Sequence, residues 1–191
     1  VYHCAAKVSF HPKDEKKMYQ TNIEGTKQLL FACQNSSVKK FLFVSSIAVL
    51  DGLNENGELD ESSDFNPKID HSAYAISKHF SEMEVWRASA EGLNTVIVNP
   101  GIIIGSGNWK ESSGTLFKEL GENAYTFSGG TSYVDVRDVA QISIELMEKN
   151  IFGERFILIS ENKKYQDVAN FIKQKLGKQS VKLVPNGLLK T

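Results

Sequence analysis

The sequence predicts an α/β fold built on a parallel sheet, and three observations predict it. Strand-like and helical patterns alternate along the chain. The strand-like runs at 41–44 and 96–98 are continuously apolar, as strands buried on both faces are. Small or polar residues follow each run: Ala5 and Ala6, then Ser45 and Ser46, then Asn99, Pro100 and Gly101. In open α/β sheets the ligand meets the carboxyl ends of the strands, where such residues belong.

Residues 1–4 form a short apolar run that reads as the end of a buried strand. From 12 to 34 the pattern is helical, with Met18, Asn22, Gly25, Leu29, Ala32 and Cys33 falling on one face. A buried strand over 41–44 comes next. Residues 51–72 are polar and rich in Gly, Asn and Asp, so they predict a solvated loop. A second helix runs from Tyr74 to about Ala90, with Ile76, Phe80, Met83 and Ala90 inward and Gly92 as its C-cap. LNTVIVNPG is the next buried strand. SYVDV, ERFILIS and the helical stretches RDVAQISIELMEK and YQDVANFIKQKLG continue the alternation, so right-handed crossovers join the strands.

Composition narrows the function. At 191 residues and a formal net charge of −1, with acids and bases mixed, the chain has no electrostatic footprint for nucleic acid or an anionic membrane. No apolar run approaches the ~20 residues of a membrane span, and no signal peptide is visible; a cytoplasmic location is expected. Cys4 and Cys33 lack CxxC spacing and read as buried free thiols in a reducing compartment. The four histidines are scattered, and no metal site is expected.

Tyr74 and Lys78 are the chemical signal. At i and i+4 they share a helix face, and an adjacent ammonium is expected to draw the phenol pKa down from ~10 toward working pH. That makes a proton donor or acceptor for carbonyl–alcohol interconversion, with Ser46 placed to hydrogen-bond the same substrate oxygen. Spacing alone is weak, since chance gives roughly 0.6 such matches here. Of the six tyrosines, however, only Tyr74 has Lys four residues on. That match opens a helix between a strand ending Ser-Ser and one ending Asn-Pro-Gly.

The segments VYHCAAKVSF, NIEGT, KKFLFVSSIAV, the Glu61 loop, YAISKHFSE, VIVNPGIIIG and YVDVRDVA together resemble the extended short-chain dehydrogenase/reductase superfamily, in its NAD-dependent epimerase/dehydratase group. The resemblance implies a Rossmann-type doubly wound parallel sheet, partial because its first strands are missing, with part of a smaller substrate-binding domain. Residues 1–105 would be the C-terminal half of the NAD(P)-binding domain. Residues 106–191 would be a partial substrate-binding region with a returning Rossmann strand and helices.

It implies a catalytic set of Ser46, Tyr74 and Lys78, with Lys78 also holding the nicotinamide ribose. Ala5, Ala6 and Lys7 would line the cofactor cleft, Asn22 would face it, and Ser45, Tyr74, Pro100 and Ile103 would complete the NAD or NADP site. Ser45, adjacent to Ser46, is the alternative reactive hydroxyl. The family's Gly-rich phosphate turn is not in this sequence, so three strands are expected upstream of Val1 and more chain beyond Thr191. The strand ending at Cys4 is therefore expected to be an unpaired edge, and the isolated fragment to be inactive and to bind dinucleotide poorly.

No Arg precedes Tyr133, where nucleotide-sugar enzymes of the group carry a basic-aromatic stretch. This favours a branch resembling dihydroflavonol 4-reductases, acting on the ketone or alcohol of a small apolar molecule. The alternatives are a nucleotide-sugar epimerase or dehydratase and a non-catalytic NAD(P)-binding sensor. A small-molecule substrate is expected as partner, and the resemblance also allows a homodimer of the full-length protein. Asp135 and Asp138 read as a helix-start charge rather than catalysts. His71 and His79 read as solvent-exposed, and Trp109, Phe117 and Tyr133 as pocket-lining or core residues.

Overall fold

A computed structural model describes residues 1–9, 11–106 and 113–184. The chain divides into two compact units, Val1–Pro100 with Ala140–Leu158, and Gly101–Val139 with Ile159–Thr191.

The first unit is a four-stranded sheet with all three pairings parallel. Its strands are β1 (Tyr2–His3), β2 (Lys40–Val44), β3 (Asn94–Pro100) and β7 (Glu154–Leu158), in that spatial order. As expected, β1 is an outer strand, with Tyr2 48% exposed. Phe41, Leu42, Phe43, Val96, Ile97 and Val98 are fully buried, which is why their runs show no polar alternation. His3 ends β1 with its ring against Phe41 and Phe43 and its Nε2 2.9 Å from Thr26 Oγ1.

The predicted helix over 12–34 is interrupted. Short helix α1 (Glu15–Tyr19) passes through a π-helical turn, Gln20–Glu24, into α2 (Gly25–Gln34). A π-turn holds one residue more than an α-turn, so it rotates everything downstream by one position. The buried face therefore runs Met18, Asn22, Thr26, Leu30, Cys33 rather than through Gly25, Leu29 and Ala32.

The turn is locked by polar contacts. Asn22 Oδ1 accepts from Lys7 N at 2.7 Å, and its Nδ2 donates to Lys7 O and to Ser77 Oγ, both at 2.9 Å. Ser81 Oγ donates to Asn22 O at 2.8 Å.

Helix α3 (Ala73–Ala90) starts on Ser72, whose Oγ accepts from Ala75 N, and ends before Gly92 at φ +100°. Its inward face is not the predicted one. Phe80 and Met83 are 50% and 41% exposed, while Ala75, Ser77, Lys78, Ser81, Glu82, Val85 and Ala88 are buried. The polar groups inside find partners on the sheet and on the π-turn, and those bonds select the face.

The 51–72 segment is likewise an ordered structure rather than a solvated connection. Asp51 N and Gly52 N donate to Asp64 O, and Asp51 Oδ2 accepts from Asn66 N. Phe65 stacks between His71 and His79 at centroid distances of 4.0 and 4.1 Å, so these rings are part-buried rather than free in solvent. Glu61 Oε1 accepts from the Ile157 N–H of β7 at 3.0 Å and so satisfies a donor on that strand.

The second unit holds β4 (Ile102–Ile104), parallel to β6 (Gly130–Asp135), which is antiparallel to β8 (Glu161–Lys164). Gly101 ends the NPG motif because a Cβ there would lie 2.5 Å from Ser132 O. The all-exposed β8 carries no apolar signal and was not legible as a strand. Helix α4 (Ser113–Glu122) and the pair β5 (Tyr125–Thr126) and β9 (Lys182–Leu183) are likewise additions to the sequence reading. Helix α5 (Val136–Glu148) has Asp138 in its first turn, and α6 (Tyr165–Lys175) follows β8 directly. Among the described residues no helix is long and apolar enough to cross a membrane.

Two stability effects follow. Asn22→Leu keeps the volume but strips Lys7 of both main-chain partners. It is expected to lower unfolding free energy by about 1–3 kcal/mol in urea titrations of the complete protein; no change would refute the clamp. The second concerns His3, whose pKa burial, and secondarily the Lys78 charge, lowers to about 4 from 6.5. Above pH 6.5 the ring is neutral in folded and unfolded chains alike. As pH falls from 6.5 to about 4, the unfolded chain takes up a proton that the folded chain refuses. Stability should drop across that window by on the order of 2 kcal/mol. His3→Gln should flatten this part of the pH–stability curve, and an unchanged slope would exclude the ring as its source.

Candidate active site

The first unit brings Ser46, Tyr74 and Lys78 together at the carboxyl end of β2. Strand β2 stops at Val44 because the next two residues turn away. Ser45 N still bonds Val98 O at 2.8 Å, and Ser46 caps a short 3-10 turn, its Oγ accepting from Ala48 N at 3.2 Å. Tyr74 is the second residue of α3, and its hydroxyl lies beside that of Ser46.

Burial pushes the Tyr74 phenol above its usual 10, and the Ser46 hydroxyl only partly offsets that rise. The expectation of a phenol drawn down by Lys78 is thus corrected: burial dominates, and the group that opposes it is Ser46. The Lys78 ammonium is engaged with the strand end, donating to Val44 O at 2.6 Å and lying 4.1 Å from the Phe43 ring centre. Burial lowers the Lys78 pKa to about 8, with Glu82 and Cys4 pulling the other way.

Ser45 is 4% exposed, and its Oγ has no partner among the described residues. Ala5 and Ala6 are exposed at the end of β1, and Lys7 is held at its main chain by Asn22 and at its ammonium by Asp14 at 3.3 Å. Asn22 is 2% exposed with its amide spent on protein, so it stands beneath Lys7 as an organiser. Pro100 is the last residue of β3. Ile103 belongs to β4 of the second unit, opposite Val134 of β6. Cys4 is exposed rather than buried, while Cys33 is buried; both are free.

Of the bystanders, Asp135 pairs with Arg137 at 2.6 Å, which holds its carboxyl down at about 2. The Tyr133 hydroxyl is buried without a partner among the described residues. Trp109 lies outside the described residues.

Sequence reasoning missed a second buried polar layer behind the site. Glu82 is 1% exposed; its Oε1 accepts from Asn99 Nδ2 at 2.6 Å, and its Oε2 lies 3.8 Å from Arg155. The same Asn99 Nδ2 donates to Ser46 O at 3.1 Å. A signal was available, because the four-residue step from Tyr74 to Lys78 lands next on Glu82.

Comparison with known proteins finds relatives for the chain and its fold. The chain is 28% identical over 165 residues to a protein named sterol demethylase protein B from Methylococcus capsulatus, covering 85% of this chain and 50% of that one. It is 30% identical over 176 residues to a putative dihydroflavonol 4-reductase from Synechocystis, covering 88% and 51%. The chain thus spans about half the length of these curated relatives.

The crystal structure of gox2253 superposes with a TM-score of 0.85 at 29% identity, covering 95% of this chain and 56% of that one. A UDP-glucose 4-epimerase from Thermotoga maritima shares the fold, with a TM-score of 0.77 at 23% identity over 97% of this chain and 63% of that one. The model of the NAD dependent epimerase/dehydratase family matches residues 1–159. The chain belongs to that family.

Proposed function

We propose that the complete protein is an NAD(P)-dependent oxidoreductase that interconverts a ketone and a secondary alcohol on a small, largely apolar molecule. The observation that carries this reading is the Tyr74–Ser46 hydroxyl contact, one helical turn from a buried lysine, at the carboxyl end of a parallel strand. Relatives named dihydroflavonol 4-reductase, anthocyanidin reductase and cinnamoyl-CoA reductase favour reduction over sugar epimerisation.

The residues present suit the nicotinamide end of a dinucleotide. Exposed Ala5 and Ala6 leave a flat approach to the backbone, and the unpartnered Ser45 Oγ is a buried polar atom in want of a ligand. Lys78 gives one of its three protons to Val44 O, which leaves donors to reach ribose hydroxyls as well. By the family resemblance Lys7, Pro100 and Ile103 would serve the cofactor side, while Asn22 acts from beneath by holding the Lys7 main chain.

When bound, the cofactor supplies the hydride to the carbonyl carbon. Tyr74 gives its proton to the carbonyl oxygen as that oxygen gains charge, and Ser46 donates a hydrogen bond to the same atom. The Lys78 charge stabilises the phenolate that Tyr74 becomes. A phenol held above 10 is protonated at neutral pH, which suits the reductive direction. Two free thiols fit a reducing, cytoplasmic setting, and the exposed Phe80 and Met83 of α3 are an apolar patch that would serve a homodimer.

Tyr74→Phe in the complete protein is expected to lower kcat by about 10²- to 10⁴-fold with cofactor binding retained; undiminished hydride transfer would overturn the assignment. Incubation with UDP- and GDP-sugars should yield no isomer. Clear isomer formation would replace the reductase with the epimerase reading.

A further inference from the structure

Two side chains of α3 grip the end of β2 from either side of Ser45. Lys78 reaches Val44 O directly. Glu82, one turn on and 1% exposed, reaches Ser46 O through Asn99, at 2.6 and 3.1 Å along the relay. Behind Glu82 stands Arg155 of β7, itself tied to Ser63 O at 3.2 Å and lying over the Trp86 ring.

A carboxylate so deeply buried is retained only where partners hold it. Here its partners connect the proton-transfer helix, the strand end that carries Ser46, and the last strand of the sheet.

We propose that Glu82 is a positioning residue for the reaction: through Asn99 it fixes the main chain of Ser46, and through its charge it keeps Lys78 an ammonium. The inference rests on the catalytic reading of Ser46, Tyr74 and Lys78.

The electrostatics run the same way, since Glu82 is the first group that raises the Lys78 pKa against its burial. The other groups facing this pair are His3 and Cys4 from β1 and its end, His79 from α3, and Arg155 from β7. His71 and Asp51 of the 51–72 segment reach only as far as His79.

The test is the pH profile of ketone reduction by the complete protein. Glu82→Gln keeps an acceptor for Asn99 but removes the charge, so Lys78 should lose its proton more easily. The basic limb of kcat/KM is expected to move down by about one pH unit, with cofactor KM within about twofold. Glu82→Asp, which keeps the charge, should leave the limb near its original place. Asn99→Leu removes the tie to Ser46 together with one partner of Glu82. With Arg155 still facing the Glu82 charge, kcat should fall about tenfold while the limb stays near its place.

An active Glu82→Gln protein with an unmoved limb would overturn the charge role, and full kcat in Asn99→Leu would overturn the relay. If Glu82→Gln does not fold, the Asn99→Leu and Glu82→Asp results still decide. Full turnover in Tyr74→Phe would instead remove the catalytic reading beneath the proposal, whereas an inactive Tyr74→Phe beside unaffected Glu82 and Asn99 variants would remove the proposal alone.

Discussion

Everything in the site hangs on the decision of α3 to bury its polar face. An 18-residue helix that carries Phe80 and Met83 would ordinarily turn them inward. Here Ser77, Lys78, Ser81 and Glu82 go in instead, because each meets a partner that would otherwise be an unpaired buried group. Ser77 and Ser81 hold the π-turn, Lys78 the Val44 carbonyl, and Glu82 the Asn99 amide. Polar satisfaction, not apolar area, sets the rotation of this helix, and that rotation puts Tyr74 against Ser46.

The π-turn at Gln20–Glu24 serves the same arrangement from the other side. Its extra residue lets Asn22 face Lys7 and Ser77 together, while Thr26 of the following helix comes under His3. Main chain after β1, where a flat ligand would lie, is thus held by a side-chain amide rather than by another strand. Such turns recur at functional sites because they re-aim one residue without ending a helix.

The 51–72 segment shows how a polar stretch becomes structure. Asp51, Asn66 and His71 close it on itself, Phe65 is sandwiched by two imidazoles, and Glu61 ties it to β7. The helix that bears Tyr74 is thus held by Ser72 at its first turn and by Phe65 against His79 at its second.

By itself the sequence determined the parallel sheet, the order of the main strands and helices, and the placing of Tyr74 and Lys78 one turn apart on one helix. These are written in local signals: unbroken apolar runs, caps at Ser72 and Gly92, and a fixed four-residue spacing on one helix. Tertiary structure alone decided which face of α3 is buried, the one-residue shift between Asn22 and Cys33, the ordered 51–72 segment, and the Glu82–Asn99–Arg155 layer. Periodicity assumes that apolar residues go inward and that turns hold 3.6 residues. Both assumptions fail where buried polar groups find partners far along the chain, and those partners become neighbours only once the sheet has formed. The same condition raised the Tyr74 phenol instead of lowering it, since spacing on a helix does not reveal burial.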